Sequence, residues 1–175
     1  MPVPLIWLGA GLATLYAGVK YSDSQAHRDS VAETSGESDS GVLPVDGCIV
    51  SCGVFGVFDH SGIWIDGNII ELRGNGLIRG ISPARFLHQR SGEDIYVACD
   101  AQLQPLVASG TMKRAVGRLY QYSEYDLIKN NCHKFVWQCI SDINEPLTRF
   151  AELNNKMVSH FDSKITWQKA LYPSD

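Results

Sequence analysis

Asp59-His60-Ser61-Gly62-Ile63-Trp64-Ile65-Asp66-Gly67-Asn68-Ile69-Ile70-Glu71-Leu72 is the stretch whose reading decides the fold. Two strand-like runs, 60–66 and 68–73, are separated at Asp66-Gly67. An Asp-Gly pair favours a tight turn with positive φ at both positions, and that twist matches paired strands. With a two-residue loop, Ile65 pairs with Asn68 and Gly62 opposes Glu71. His60 and Glu71 then share one sheet face as diagonal neighbours, roughly 7–8 Å apart between backbones. Gly62 is expected to leave room for the carboxylate to reach the imidazole. A slip of one residue would send Glu71 to the other face.

Further strand signals surround this hairpin. Cys48–Phe58 is rich in Val, Ile and Phe. Gly74-Asn75-Gly76 marks a turn before a short strand near Leu77–Ile81. Ser82-Pro83 reads as an N-cap with proline at the first helical position, opening a short helix through Phe86. Ile95–Cys99 is a further strand. The later segments Leu106–Tyr120, Cys132–Ile143 and Leu147–Phe161 read as helices. In the last, Phe150, Leu153, Met157 and Phe161 recur at helical spacing and are read as core packing. Strands followed by helices predict an α+β domain, a small antiparallel sheet packed on helices. No internal repeat is visible.

The chain has 175 residues, with 45% apolar and 19% charged side chains, which excludes wholesale disorder. Fifteen Lys and Arg against 19 Asp and Glu give a formal net charge of −4. No basic field or basic run exists to hold nucleic acid. Five cysteines, an odd and low count, do not make a disulfide scaffold and suit a reducing compartment.

Residues 1–20 differ from the rest. Val3 to Val19 is apolar except for Pro4 and Thr14 and carries no charge. As a helix it would be roughly 26 Å long at ~1.5 Å per residue, near the lower limit for crossing a bilayer. Trp7 and Tyr16 lie near its ends, and small residues recur every four positions at Gly9, Ala13 and Ala17. The run is read as a membrane-anchor helix. A cleaved signal peptide fits less well, because no basic residue precedes the apolar core and no small-x-small site follows it. A buried core helix fits less well too, because every face is apolar. Lys20 and Arg28 follow the run, so the positive-inside tendency places the remainder in the cytoplasm. Residues 21–41 hold six serines and five carboxylates and are read as a flexible linker. The folded domain is expected over 42–175.

The residues that could carry chemistry centre on Asn130-Asn131-Cys132-His133-Lys134-Phe135-Val136. Paired asparagines favour turns and helix caps, and Phe135, Val136, Cys139, Ile140 and Ile143 follow on one helical stripe. Cys132 therefore falls in the first turn, where unpaired N–H groups and the helix dipole favour a thiolate and could receive an oxyanion. A thiolate nucleophile needs an imidazole partner. His60 is the best candidate, with Glu71 to fix its tautomer. The competing reading is an inert cysteine beside a structural His–Glu pair.

Other candidates are weaker. Cys48-x3-Cys52 with His60 lacks a second ligand pair for a metal and reads as two buried strand cysteines. Cys139 is expected to be buried, and His133 to point about 100° away from Cys132 on the helix. His27, His88 and His160 are expected at the surface. Gly74-Asn75-Gly76 matches no phosphate loop, and serine-hydrolase and kinase signatures are absent.

Taken in order, His60-Ser61-Gly62-Ile63-Trp64-Ile65, then Asp66 to Leu72, then Asn131-Cys132-x-x-Phe135-Val136 resemble the lecithin retinol acyltransferase-like family. That family belongs to the NlpC-type papain-like superfamily in circularly permuted order, with histidine, second polar residue and cysteine following one another as here. Pro44-Val45-Asp46-Gly47 resembles the family's Pro-Gly-Asp lead-in to the first strand, and Tyr122 to Leu127 its approach to the cysteine. The resemblance covers roughly residues 43–143. It implies a permuted papain-like domain with Cys132 as nucleophile, His60 as base and Glu71 in the third position, where the vertebrate lipid enzymes carry a second histidine. The turn between His60 and Glu71 is one residue shorter than in those enzymes, and His133-Lys134 stands where the family often has Glu-His.

The implied activity is acyl transfer or hydrolysis through a Cys132 thioester, on a phospholipid or other acyl ester, by an enzyme held at the membrane through its N-terminal helix. No metal or organic cofactor is implied. Two rival readings stay open: an NlpC-type peptidase or amidase on cell-wall peptide, and a catalytically silent, membrane-tethered binding module. The sequence does not set the oligomeric state.

Overall fold

The computed structural model describes residues 41–54, 58–90 and 92–173. The described chain is a mixed α+β fold. Its strands are β1 (Ile49–Val54), β2 (Phe58–Ile65), β3 (Asn68–Leu72), β4 (Ile78–Ile81), β5 (Tyr96–Cys99) and β6 (Thr166–Lys169). Its helices are α1 (Pro83–Leu87), α2 (Thr111–Val116), α3 (Cys132–Ser141) and α4 (Phe150–Phe161). The strands form one sheet in the order β4-β3-β2-β1-β5-β6. Every named pairing is antiparallel.

The hairpin is built as its sequence predicts. Asp66 and Gly67 have φ of 49° and 69°, the positive values a primed two-residue turn requires. Ile65 pairs with Asn68, and Ile63 with Ile70. The Asp66 N–H donates to Asp46 Oδ1 at 2.7 Å, tying the turn to the segment ahead of β1.

Both sheet faces are covered. The pleat sends alternate side chains to opposite sides. Ile49, Ile63, Ile70 and Leu72 pack with Phe135, Val136 and Ile140 of α3 and Leu153 and Met157 of α4. Val50, Cys52, Trp64, Ile69 and Val97 form a second cluster with Phe86 of α1. This double burial explains why adjacent residues such as Ile69 and Ile70 are both apolar. In α1, Ser82 caps as predicted, its Oγ accepting from the Arg85 N–H at 3.4 Å.

Several boundaries depart from the sequence reading. The helix expected over Leu106–Tyr120 is reduced to α2, Thr111–Val116. Pro105 has no N–H to give, and Leu106 N–H instead bonds Ala98 O at 2.9 Å. Gly110, at φ 78°, turns the chain immediately before α2. Helix α3 stops at Ser141, because Asp142 adopts the left-handed conformation at φ 62°. Ile143 thus leaves the apolar stripe and is 52% exposed. Helix α4 starts at Phe150 rather than Leu147. Leu147 is nevertheless fully buried, and Thr148 N–H bonds Glu152 Oε2 ahead of the first turn. Strand β6 was not among the expected elements, so strands do not simply precede helices. It returns after α4 to pair with β5.

The expected anchor helix at 1–20, and all of the linker expected at 21–41 except Gly41, lie outside the described residues. Among the described residues no helix is long and apolar enough to cross a membrane.

Candidate active site

Strand β2 presents His60 and β3 presents Glu71. The His60 ring donates through Nε2 to Glu71 Oε2 at 2.7 Å. Glu71 is fully buried and His60 nearly so. Glu71 faces Arg79 across the β3–β4 pairing. Arg79 Nε and Nη2 reach its Oε1 at 2.9 and 2.8 Å. Arg90 Nη2 donates to Oε2 at 2.8 Å. Arg90 also donates to the Phe86 carbonyl and stacks over the Phe86 ring, with 4.7 Å to its centroid. His60 also lies against that ring, at 5.1 Å between centroids.

Burial pushes the Glu71 carboxyl up, but the hydrogen bonds and charges of His60 and Arg90 overcome it and hold its pKa down to about 2. Glu71 is therefore an anion at every ordinary pH. The sequence places His60 and Glu71 together and the structure brings them together. Arg79 and Arg90 were not expected in the site. The β3–β4 turn that sets Arg79 opposite Glu71 was readable, whereas Arg90 arrives from a loop.

Gly62 lies closest to groups other than the carboxylate. A Cβ there would lie 2.6 Å from Ile69 Cγ2, 3.0 Å from Ile70 O and 3.4 Å from Phe86 Cε2. The missing side chain makes room for Ile69 and Phe86, which in turn backs the His60 ring. Gly62→Ala is expected to cost about 1–3 kcal/mol through overpacking. Urea denaturation would measure the loss, and an unchanged midpoint would contradict the tight packing.

Cys132 is the first residue of α3 and is 3% exposed. Asn131 caps the helix, its Oδ1 accepting from Lys134 N–H at 3.0 Å. Its Nδ2 donates to the carbonyls of Leu127 and Thr148, both at 3.0 Å. The cap is thus fixed to the loops on either side of α3. Burial alone would raise the Cys132 thiol, but the charge and hydrogen bonding of His133 and His60 bring it well below its ordinary value. Burial alone would lower His60, but Cys132 and Glu71 raise it. The two shifts run in opposite directions, and both favour a thiolate beside an imidazolium.

His133 departs from the sequence reading. It was expected to point away from Cys132, yet its Nδ1 lies 3.9 Å from Cys132 Sγ. Ser61 Oγ of β2 holds the same nitrogen at 2.9 Å, and the ring packs on Phe150 at 5.4 Å. A helical wheel places Cβ atoms; it carries no information on a strand hydroxyl that draws a ring sideways. Tyr125 was also missed. Burial raises its hydroxyl, and the Cys132 thiol raises it further through charge and hydrogen bonding. A phenol seven residues before the cysteine was the available signal.

All five cysteines are free and buried. Cys48, Cys52, Cys99 and Cys139 are each pushed up to about 12, chiefly by burial. Near pH 6, iodoacetamide is therefore expected to alkylate Cys132 alone in the folded chain, with peptide mapping as the readout. Equal labelling of several cysteines would contradict the assigned thiolate. Among the described residues, no group of three or more His, Cys, Asp or Glu could hold a metal ion. His88 and His160 are exposed, as expected.

The arrangement contains what a thiol nucleophile uses: a lowered thiol, a neighbouring imidazole, a carboxylate on its far nitrogen, and donors at a helix start. No protein-family model matches this chain, and no curated protein matches its sequence.

Proposed function

We propose that this protein is a membrane-associated cysteine acyltransferase or hydrolase that forms a thioester on Cys132, with phospholipid acyl esters as substrates. The observation that carries the reading is the 2.7 Å bond from His60 Nε2 to a buried carboxylate, beside a Cys132 thiol that His133 and His60 hold well below its ordinary value. The chain order of the three residues, with the cysteine opening a helix that packs on the histidine-bearing sheet, supports a permuted papain-like fold of the lecithin retinol acyltransferase-like kind.

Because Nε2 is engaged by Glu71, Nδ1 is the nitrogen left to take the thiol proton. The thiolate attacks the ester carbonyl, forming the S–C bond and a tetrahedral oxyanion. The Cys132 N–H and the Tyr125 hydroxyl are the donors proposed to receive that charge. Collapse breaks the C–O bond, and the leaving alcohol takes the proton from His60. Water or an amine then attacks the thioester with His60 as base, and the proton returns to the Cys132 sulfur. Glu71 holds the ring in place and stabilises its cationic form.

The lipid class rests on the apolar run Val3–Val19, which as an anchor would keep the domain at a bilayer, on its cytoplasmic side if Lys20 and Arg28 set the orientation. The test is the intact mass of the full chain in detergent micelles after incubation with mixed phospholipids. An acyl-sized increase is expected in the parent protein, absent from Cys132→Ala and much slower to form in His60→Ala. No adduct with a rapidly alkylated Cys132 would overturn the lipid assignment in favour of amide substrates. No adduct with a sluggish thiol would overturn catalysis itself.

A further inference from the structure

Beside the candidate active site, and sharing Arg79 and Arg90 with it, lies a cavity of about 300 Å³ lined by Arg73, Arg79, Arg85, His88, Gln89 and Arg90. No carboxylate lines it. Four guanidiniums within one small cavity repel one another, and the buried Glu71 is bonded to two of them, Arg79 and Arg90. Four arginines and no carboxylate line this cavity, in a chain whose formal net charge is −4. The excess is therefore local and runs against the character of the whole chain.

The donors are also unspent. Each guanidinium carries five N–H groups in a planar fork. Arg79 uses Nε and Nη2 on Glu71, and Arg90 uses Nη1 on Phe86 and Nη2 on Glu71. Arg79 Nη1 and Arg90 Nε keep free N–H groups among the described residues. Arg73 and Arg85 are exposed, and their side chains have no hydrogen-bond or ion-pair partner among the described residues. Two arginines are thus fixed in orientation by the buried carboxylate, and two more are free to close on a ligand.

We propose that this cavity binds a phosphate group. A tetrahedral oxyanion with several acceptor oxygens matches convergent forks better than a single planar carboxylate does, and its charge offsets the local excess. The cavity is separated from His60 by Glu71 itself, which does not line it, so the bound phosphate would not be the group attacked by Cys132. The binding claim stands apart from turnover: it holds or fails whether or not Cys132 forms a thioester. If the catalytic reading also holds, the phosphate would share Arg79 and Arg90 with the carboxylate that orients the base.

Two sources could supply such a phosphate: the diester headgroup of a lipid, or a soluble phosphate. Isothermal titration calorimetry of the full chain in neutral detergent micelles, at constant salt, would use inorganic phosphate, glycerol 3-phosphate and glycerophosphocholine as probes. Saturable binding at one site per chain is expected for at least one of them. Arg73→Ala with Arg85→Ala should weaken it about tenfold or more, as expected for loss of charge-assisted hydrogen bonds. Arg73→Lys with Arg85→Lys should fall between, because charge is kept and the fork is lost. Tighter binding of glycerophosphocholine would assign the site to a headgroup, and tighter binding of the other two to a soluble phosphate. Thermal unfolding followed by circular dichroism serves as the check that each variant is folded. Absence of saturable binding by all three probes, or equal binding by the folded double-alanine variant, overturns the proposal.

Discussion

Cys132→Ser is expected to lower turnover of a phospholipid ester by at least about 10⁴-fold, the scale on which nucleophiles of such assemblies fail. The exchange keeps size and polarity nearly constant, and serine is well tolerated in a first helical turn. The loss would therefore be chemical. A hydroxyl has no accessible anion near neutral pH, whereas His133 and His60 hold the Cys132 thiol well below its ordinary value against the effect of burial. Thermal unfolding followed by circular dichroism should differ little between the two proteins. Turnover within tenfold of the parent would remove Cys132 from the mechanism.

Glu71→Gln is expected to affect both stability and rate. The amide fits the carboxylate's space but not its charge. Arg79 and Arg90, at 20% and 14% side-chain exposure, would then face each other without the anion between them. The folded carboxyl has its pKa lowered from 4.5 to about 2. A depressed carboxylate stabilises the fold above its unfolded value, and the contribution fades as pH falls through the folded one. The window is thus from about 4.5 down to about 2. The shift corresponds to about 3 kcal/mol as an order of magnitude. Urea denaturation at a series of pH values should show the parent losing stability across that window and Glu71→Gln already weakened above it. Turnover should fall about 10²–10⁴-fold, the smaller loss if the amide oxygen accepts from Nε2 and the larger if its nitrogen forces the other tautomer. A variant equal to the parent in both respects would make the His60–Glu71 bond incidental.

What was legible in the sequence follows from how local each cause is. The β2–β3 hairpin depends on two turn residues and a period of two, so His60 and Glu71 could be paired from spacing alone. Asn131 and the apolar stripe behind it placed Cys132 at a helix start. The boundaries that failed were set by backbone signs no pattern encodes, such as the left-handed Asp142. The missed partners, Arg90, Tyr125 and His133, reach the site through tertiary contacts. His133 shows this most directly, because a strand hydroxyl, not its helix, decides where its ring lies. Strand β6 is short and contains Thr166, Gln168 and Lys169, so its own composition gives little sign of burial at Trp167.

Val42 N–H bonds Lys169 O at 2.8 Å, and Leu171 N–H bonds Val42 O at 2.9 Å. The segments that open and close the folded body are thus stitched side by side. Linear order is then largely a matter of where the ring of elements is cut. A gene rearranged to join residue 172 to residue 42 through a short bridge, with new ends at the exposed Gly67 turn, would meet the same packing instructions in a different reading order.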